Sequence, residues 1–226
     1  MPFWNPFSRR PPVKLHADLI WLAPACKHHG LVLDWQRRAQ TGLSVVVAHF
    51  PETLAVIEEE FENAGVEVDP QSGPISMSEF DRRTTSLEAQ PVITTLVDWL
   101  PTDDLGRVQT DDSARIFLAI AERHFLADRD ADVLQFAAGL RNPCDVQFHI
   151  SLRDPLLAPF AGEQVRDILK AMGLDDREAI RVPFVNRRVR HAQRHFARHA
   201  ESDGPAKSPS DWLQRHCPSL ASSAMS

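Results

Sequence analysis

Two stretches of the chain decide its fold: RIFLAIAERH at residues 115–124 and VQFHISLRD at residues 146–154. The first begins as a short apolar run, which predicts a buried strand. In the second, Val146, Phe148 and Ile150 alternate with polar residues, and this period of two predicts a strand with one face in solvent. Charged side chains follow each strand directly.

The same alternation of strands and helices extends on both sides of these stretches. Leu54, Ile57 and Phe61 recur at helical spacing between Pro51 and Gly65, so they predict an amphipathic helix with one buried stripe. Strands joined to helices by short connections predict a mostly parallel α/β sheet covered on both faces. Further strands are predicted at residues 18–23, 43–50, 66–68 and 91–100, and further helices at residues 24–39, 77–89, 130–140, 154–160 and 162–172.

A basic amphipathic helix is predicted over residues 183–200. Residues 181–200 hold six arginines and no acid, whereas the remainder of the chain carries a formal charge of −12 against −6 for the whole. Such an asymmetry indicates a docking face for an anionic partner; the alternative is a solvated basic helix without a partner. The apolar stripe consists of Val185, Val189, Ala192 and Phe196, and the predicted docking residues are Arg187, Arg188, Arg190, Arg194 and Arg198.

The chain of 226 residues is long enough for one domain with appendages. Residues 1–16 are rich in proline and arginine and are predicted to be a flexible leader, although Phe3, Trp4 and Phe7 leave a peripheral membrane or partner contact open. The main domain is predicted over residues 17–182. Because its composition shifts to serine, proline, alanine and glycine, the segment 201–226 is predicted to be a disordered tail.

Composition and motifs argue against several functional classes. A formal charge of −6 argues against generalised nucleic-acid binding, and no apolar run reaches the ~18–20 residues of a membrane span. The three cysteines lie far apart in the sequence, which indicates a reducing compartment, and we expect a cytoplasmic protein. Neither the cluster at residues 26–29 nor the pair His216 and Cys217 offers a convincing ligand set, so we expect no metal.

Residues 122–124 (ERH), 148–154 (FHISLRD) and 162–199 together resemble the second motor domain of SecA, the ATPase that drives preproteins through the Sec channel. The resemblance covers roughly residues 17–199. It implies a three-layer, RecA-like fold of the P-loop NTPase and helicase C-terminal type. It also implies that the basic helix corresponds to the start of the SecA scaffold helix.

The chain departs from that family at the residues that would carry catalysis. The family motif Q-x-x-G-R-x-G-R-x-G-D falls on residues 132–142, where Phe136 and Gly139 occupy the positions of two arginines. An arginine finger contributes about 10³–10⁵ to the rate of phosphoryl transfer, and neither of these residues can supply its charge. Arg129 and Arg141 lie off the expected positions. The sequence also contains no G-x-x-x-x-G-K-[ST] phosphate loop.

We therefore expect no catalytic residues and no ATP hydrolysis. Glu122, Arg123, His124 and Asp130 are predicted to be the remnant of a nucleotide cleft, with Arg123 held in an ion pair with Asp130. No cofactor is expected, although weak ATP or ADP binding remains open.

Three functions fit this interpretation. The first is a non-catalytic binding or regulatory module that engages a protein partner, either the translocation machinery or a complete motor. The second is one half of a split SecA-like ATPase that another chain completes. The third, which the charge balance disfavours, is a nucleic-acid-binding domain of the helicase type.

Overall fold

The computed structural model describes residues 13–38, 42–76, 92–101, 115–140, 142–171, 178–181 and 183–224. These residues form a seven-stranded sheet and seven helices. The strands are β1 (Val13–Leu15), β2 (Leu19–Trp21), β3 (Gly42–Ala48), β4 (Val68–Pro70), β5 (Val92–Leu96), β6 (Arg115–Ile120) and β7 (Cys144–Ser151). The helices are α1 (Pro24–Arg38), α2 (Pro51–Asn63), α3 (Ala127–Gly139), α4 (Ala158–Ala171), α5 (Pro183–His199), α6 (Pro209–His216) and α7 (Pro218–Ala224), and a 3₁₀ turn spans Val97–Trp99.

The sheet has the strand order β1-β7-β6-β3-β5-β4, and all of its described strand pairs are parallel. β2 is off this path and pairs, also in parallel, with the end of β7, where Leu19 lies opposite His149. Successive parallel strands require crossover connections, and α1, α2 and α3 each lie in one of these connections. The structure thus confirms the predicted α/β class with a mostly parallel sheet.

Helices cover both faces of the sheet, which gives three layers. In β3, Val45 and Val47 face the layer of α3, whereas Val46 and Ala48 face α1 and α2, and all four side chains are fully buried. This is why the segment has no polar alternation: a strand covered on both faces is apolar throughout. Burying each valine contributes about 1.5–3 kcal/mol.

A third hydrophobic cluster lies where the strands end. Side chains at or after the carboxyl ends of four parallel strands meet there, among them Leu22, Phe50, Phe125 and Ile150. The buried stripe of α5 packs on them, as its spacing predicts, so α5 is fixed to the domain by this edge.

The prediction of a disordered tail is wrong for residues 201–224. This segment contains α6 and α7, and Trp212 is fully buried with its ring stacked on Phe125 at 4.7 Å between centroids. The composition of the segment is polar, but one tryptophan buries enough apolar area to anchor it. We call residues 201–217 the C-terminal strap.

Two further predictions are corrected by the structure. The leader was expected to extend to residue 16, but Val13–Leu15 forms an edge strand on β7. The second face of β7 was expected in solvent, yet Gln147 and His149 are fully buried, because α1 and the N-terminal segment cover them. The predicted helix at residues 77–89 lies outside the described residues, as do Trp4 and Arg141.

Candidate functional site

Glu122 follows β6 and reaches the amino end of α2. Its carboxylate accepts hydrogen bonds from the backbone N–H of His49 (3.1 Å) and of Phe50 (3.2 Å), and from the hydroxyl of Thr53 (2.7 Å). Unpaired N–H groups at the start of a helix form a natural anion site. The protein fills this one with its own carboxylate, whose pKa is raised by burial.

Asp130 in α3 is the centre of a buried network. Its carboxylate accepts from Arg123 Nη1 (3.1 Å), the backbone N–H of His124 (2.9 Å) and Gln193 Nε2 (2.7 Å), and it lies 3.0 Å from His49 Nε2. Burial alone would raise the pKa of Asp130, but the His49 hydrogen bond and the charge of Arg123 outweigh it and hold the pKa below its usual value. The network therefore contains an ionised Asp130.

Arg123 is held on three sides. Besides Asp130, its guanidinium donates to both oxygens of Asp18 (2.6 and 3.2 Å) and lies 3.5 Å above the ring of Phe148. The ion pair between Arg123 and Asp130 that the sequence predicts is present. Three of the five N–H groups of the guanidinium thus already donate to these two carboxylates.

His124 is a buried, neutral side chain. Its Nδ1 accepts from the backbone N–H of Leu126 (3.1 Å), and its ring lies between Phe50 and Trp212, at 5.4 and 5.3 Å between centroids. Burial, assisted by the nearby His49, lowers its pKa to about 3. Because its acceptor nitrogen is engaged and its proton affinity is low, His124 is poorly suited to general-base chemistry at neutral pH.

Lys27 and Asp154 form a second pair that sequence reasoning did not include in the site. Lys27 Nζ lies 2.9 and 3.0 Å from the two carboxylate oxygens of Asp154, which also accepts from the backbone N–H of Ser151 (2.8 Å). The lysine is buried, with a side chain only 3% exposed. The two residues are 127 positions apart, so no local pattern could have joined them.

Of these groups, Glu122, Arg123, Lys27 and Asp154 line a cleft of about 350 Å³ at the carboxyl edge of the sheet. That is where open α/β sheets bind ligands. The strap forms one wall, and the carbonyl oxygen of Lys207 accepts from the backbone N–H of Glu52, in the first turn of α2, at 3.0 Å. The lining residues that matter here are Lys27, Glu122, Arg123, Arg153, Asp154 and Ser208–Ser210.

The structure brings Glu122, Arg123, His124 and Asp130 close together, but only Glu122 and Arg123 line the cleft, and the assignment of the four to a nucleotide remnant stays a prediction. It places the predicted docking arginines elsewhere, on the exposed surface of α5. Phe136 is buried in the core beneath the sheet, so its side chain is part of the packing. Arg129 is bound to Asp203 of the strap at 2.8 Å and does not line the cleft.

No group of three or more metal-ligating side chains occurs among the residues that the structure describes. Cys26, Cys144 and Cys217 are free thiols. No helix in the described ranges is long and apolar enough to cross a membrane.

Comparison with known proteins relates the chain to SecA. No family model matches it. The SecA protein translocase subunit of Sorangium cellulosum is 22% identical over 181 residues, which are 80% of this chain and 16% of that protein. The SecA subunit of Paraburkholderia xenovorans is 37% identical over 73 residues, or 32% of this chain and 8% of the relative.

The crystal structure of the C-terminal part of the Fun30 ATPase domain is also similar, with 10% identity, a TM-score of 0.36, and coverage of 74% of this chain and 50% of the other. A TM-score this low does not bear on function. The matches to SecA, together with the parallel three-layer architecture, show a SecA-like domain with the RecA fold. The chain spans less than one fifth of the length of the SecA proteins it matches.

Proposed function

We propose that this chain is a non-catalytic SecA-like module that engages a protein partner in the cytoplasm. The partner is either the translocation machinery or a complete SecA-type motor. In this proposal the surface of the SecA-like domain binds the partner. The charged residues of the nucleotide cleft stabilise the fold and do not bind nucleotide.

One observation carries the proposal: the ionised groups in the floor of the cleft are already paired with one another. Lys27 is held by Asp154, and Arg123 by Asp18 and Asp130. The amino end of α2 is filled by Glu122 and by the strap. A triphosphate that drew either cation away from its carboxylate would break a buried pair, and leaving one buried charge unpaired costs about 3–5 kcal/mol.

The residues of the arginine motif support the same conclusion. Phe136 occupies one arginine position and is packed in the core. No phosphate loop occurs in the sequence to cradle the β- and γ-phosphates.

Nucleotide binding is tested by calorimetric titration with ATP and ADP in the presence of Mg²⁺, together with a phosphate-release assay. We expect no hydrolysis above background and no micromolar binding. Arg153 is exposed at the mouth of the cleft, and Arg37 is exposed at the far end of α1. Micromolar binding that Arg153→Ala weakens and Arg37→Ala leaves unchanged would assign nucleotide to the cleft and contradict the proposal.

Partner engagement is tested with a purified complete SecA from the same organism. We expect the chain to bind it saturably and to change its ATPase rate. If hydrolysis appears only when this chain is mixed with a chain that carries a phosphate loop but lacks a second motor domain, the split-ATPase alternative is correct instead. Absence of binding to SecA and to the translocation channel would refute the proposed partner.

A further inference from the structure

The outer face of α5 carries arginines that have no acidic partner. Arg187, Arg190, Arg194 and Arg198 are exposed and follow one another at three- and four-residue spacing. None of them lies within ion-pair distance of a carboxylate in the described residues, and the one hydrogen bond of their side chains joins Arg194 Nε to the carbonyl of Arg190 at 3.2 Å. Like charges one turn apart destabilise a helix. The fold therefore maintains an arrangement that its own contacts do not compensate.

The outer face of α2 has the opposite charge. Glu52, Glu59 and Glu62 are exposed on one side of the helix, and no cation of the described residues pairs with them. Two further glutamates flank this side: Glu58 accepts from Thr94, and Glu60 lies 3.5 Å from His29. The chain thus presents an acidic helix face as well as a basic one.

Each face also contains an exposed apolar side chain. Val56, 44% exposed, precedes Glu59 by three residues, and Phe184, 37% exposed, precedes Arg187 by three. An apolar contact surrounded by charged groups is the usual composition of a protein interface. The two faces are therefore matched both in charge and in apolar content.

The two faces are not joined within one molecule. The inner side of α2 packs in the cluster that holds α1, whereas the inner stripe of α5 packs in the cluster at the carboxyl edge. No ion pair of the described residues links α2 to α5. The arginine face of α5 and the glutamate face of α2 can therefore meet only between two molecules.

We infer that this chain associates with a second copy of itself, with the arginine face of α5 in one molecule bound to the glutamate face of α2 in the next. All six cations of residues 181–200 are arginines, whose planar fork matches a carboxylate with two hydrogen bonds. The contact joins two copies of the chain, so association increases with concentration. The α2 face adjoins the cleft, because Glu52 and Val56 also line it.

Other anionic partners fit the surface less well. An interfacial membrane helix buries an exposed apolar face in the lipid, but the stripe Val185, Val189, Ala192 and Phe196 is already buried in the protein. Single-stranded nucleic acid is bound by several aromatic side chains on which successive bases stack, and Phe184 is the one exposed large aromatic side chain on the described part of α5. A second copy supplies carboxylates on a preformed helix.

Sedimentation velocity of the purified chain over a range of concentrations tests the inference. At about 10 mM salt, where the Debye length is about 30 Å, the weight-average mass should rise with concentration. At about 150 mM salt, where the Debye length is about 8 Å, we expect association to be weaker by roughly tenfold. A monomer at every concentration in low salt would overturn the inference.

A charge exchange tests the two faces themselves. The variants Arg190→Glu/Arg194→Glu and Glu59→Arg/Glu62→Arg should each remain monomeric, because each then presents two faces of like charge. An equimolar mixture should associate again, since opposite faces meet between the two variants. All four positions are exposed, and circular dichroism will establish that both variants are folded.

The matched control for Arg190→Glu/Arg194→Glu is Lys14→Glu/Arg37→Glu, which makes the same change in net charge at exposed positions outside both faces. It should associate like the wild type. If the control is equally monomeric, or if the mixture does not associate, the pairing of these faces is refuted. If the wild type remains monomeric but binds phosphatidylserine vesicles or duplex DNA through Arg190 and Arg194, the surface serves a different partner.

Discussion

Around Asp130, donors from three other segments of the chain converge on one buried carboxylate, whereas along α5 the arginines end in solvent without an acidic partner. Both regions are rich in charge, and Gln193 of α5 links them, since it donates to Asp130 from the inner side of the same helix. The first region uses its charges to hold the fold together. Only the second leaves charges available for another molecule.

This difference explains why a cluster of charged residues in a cleft need not be an active site. Perturbed pKa values are common at catalytic centres, but structural ion-pair networks perturb them as well. Here the pKa of Asp130 is lowered by partners that also fix β6, α3 and α5 in place. Substitutions in the two regions distinguish a charge that stabilises the fold from one that is available to a partner.

The largest effect is expected for Asp130→Ala. The substitution removes the common acceptor of Arg123, His49, Gln193 and the His124 N–H, so it leaves buried donors unpaired. We expect the free energy of unfolding to fall by about 3–5 kcal/mol, measured by urea denaturation.

The control is Asp132→Ala on the same helix, where the side chain is 54% exposed and only 3.9 Å from Arg129. Its loss should stay below about 1 kcal/mol. Equal losses at the two positions would show that the Asp130 network adds nothing beyond surface charge.

Trp212→Ala tests whether the strap belongs to the buried region. The ring is fully buried against Phe125 and His124, so truncation leaves a cavity beside the charged network. We expect a loss of about 3 kcal/mol in the free energy of unfolding, near the lower end for a tryptophan because the strap can detach locally. Gln214→Ala on the exposed side of α6 should be neutral, and a neutral Trp212→Ala would place the strap outside the cooperative fold.

His124 makes the buried region sensitive to acid. Its pKa is lowered from 6.5 in the unfolded chain to about 3 in the fold. Above pH 6.5 His124 is neutral in both the folded and the unfolded state, so its contribution to the free energy of unfolding is constant. Below pH 6.5 His124 binds a proton in the unfolded state but stays neutral in the folded state. Stability should therefore decrease by about 1.4 kcal/mol per pH unit, or about 2 kcal/mol by about pH 5.

The test is the pH dependence of urea denaturation for His124→Asn, whose side-chain oxygen can still accept from the Leu126 N–H. In this variant the free energy of unfolding should decrease less steeply below pH 6.5, because the contribution of His124 is absent. His29→Asn, at a position 63% exposed, should retain the wild-type slope. Identical slopes for the wild type and His124→Asn would contradict a buried neutral histidine.

The parallel sheet could be predicted because its information is local. The apolar run of β3 predicts a strand, and the apolar stripe of α2 predicts a helix. In each case a stretch of sequence no longer than one strand or about two helical turns is sufficient. The strap could not be predicted in this way, since its order depends on Trp212 reaching Phe125, which lies far away in the sequence. The average composition of a segment does not reveal the effect of one such residue.

The same distinction between local and distant contacts applies to the candidate site. Arg123 and Asp130 are seven residues apart, so a strand end and the following helix bring them together, and the sequence suggests their pair. Asp18 and Gln193 join the same network from 105 and 63 positions away, and Lys27 meets Asp154 across 127. Those partners follow from the strand order and the docking of α5, which no single motif contains.

The smallest effect distinguishes the two regions most directly, because it compares an arginine that is paired with a carboxylate with one that is not. Arg129 lies 2.8 Å from Asp203, so Arg129→Ala should cost about 0.5–1 kcal/mol. Arg194 has no acidic partner in the described residues and has Arg190 and Arg198 one turn away on either side. Removing its charge relieves two like-charge pairs, each worth about 0.2–0.5 kcal/mol, so Arg194→Ala should leave the free energy of unfolding unchanged or slightly higher. Urea denaturation of both variants at low salt measures the difference. If Arg194→Ala is as destabilising as Arg129→Ala, the arginines of α5 belong to the structure of the domain and are not available to a partner.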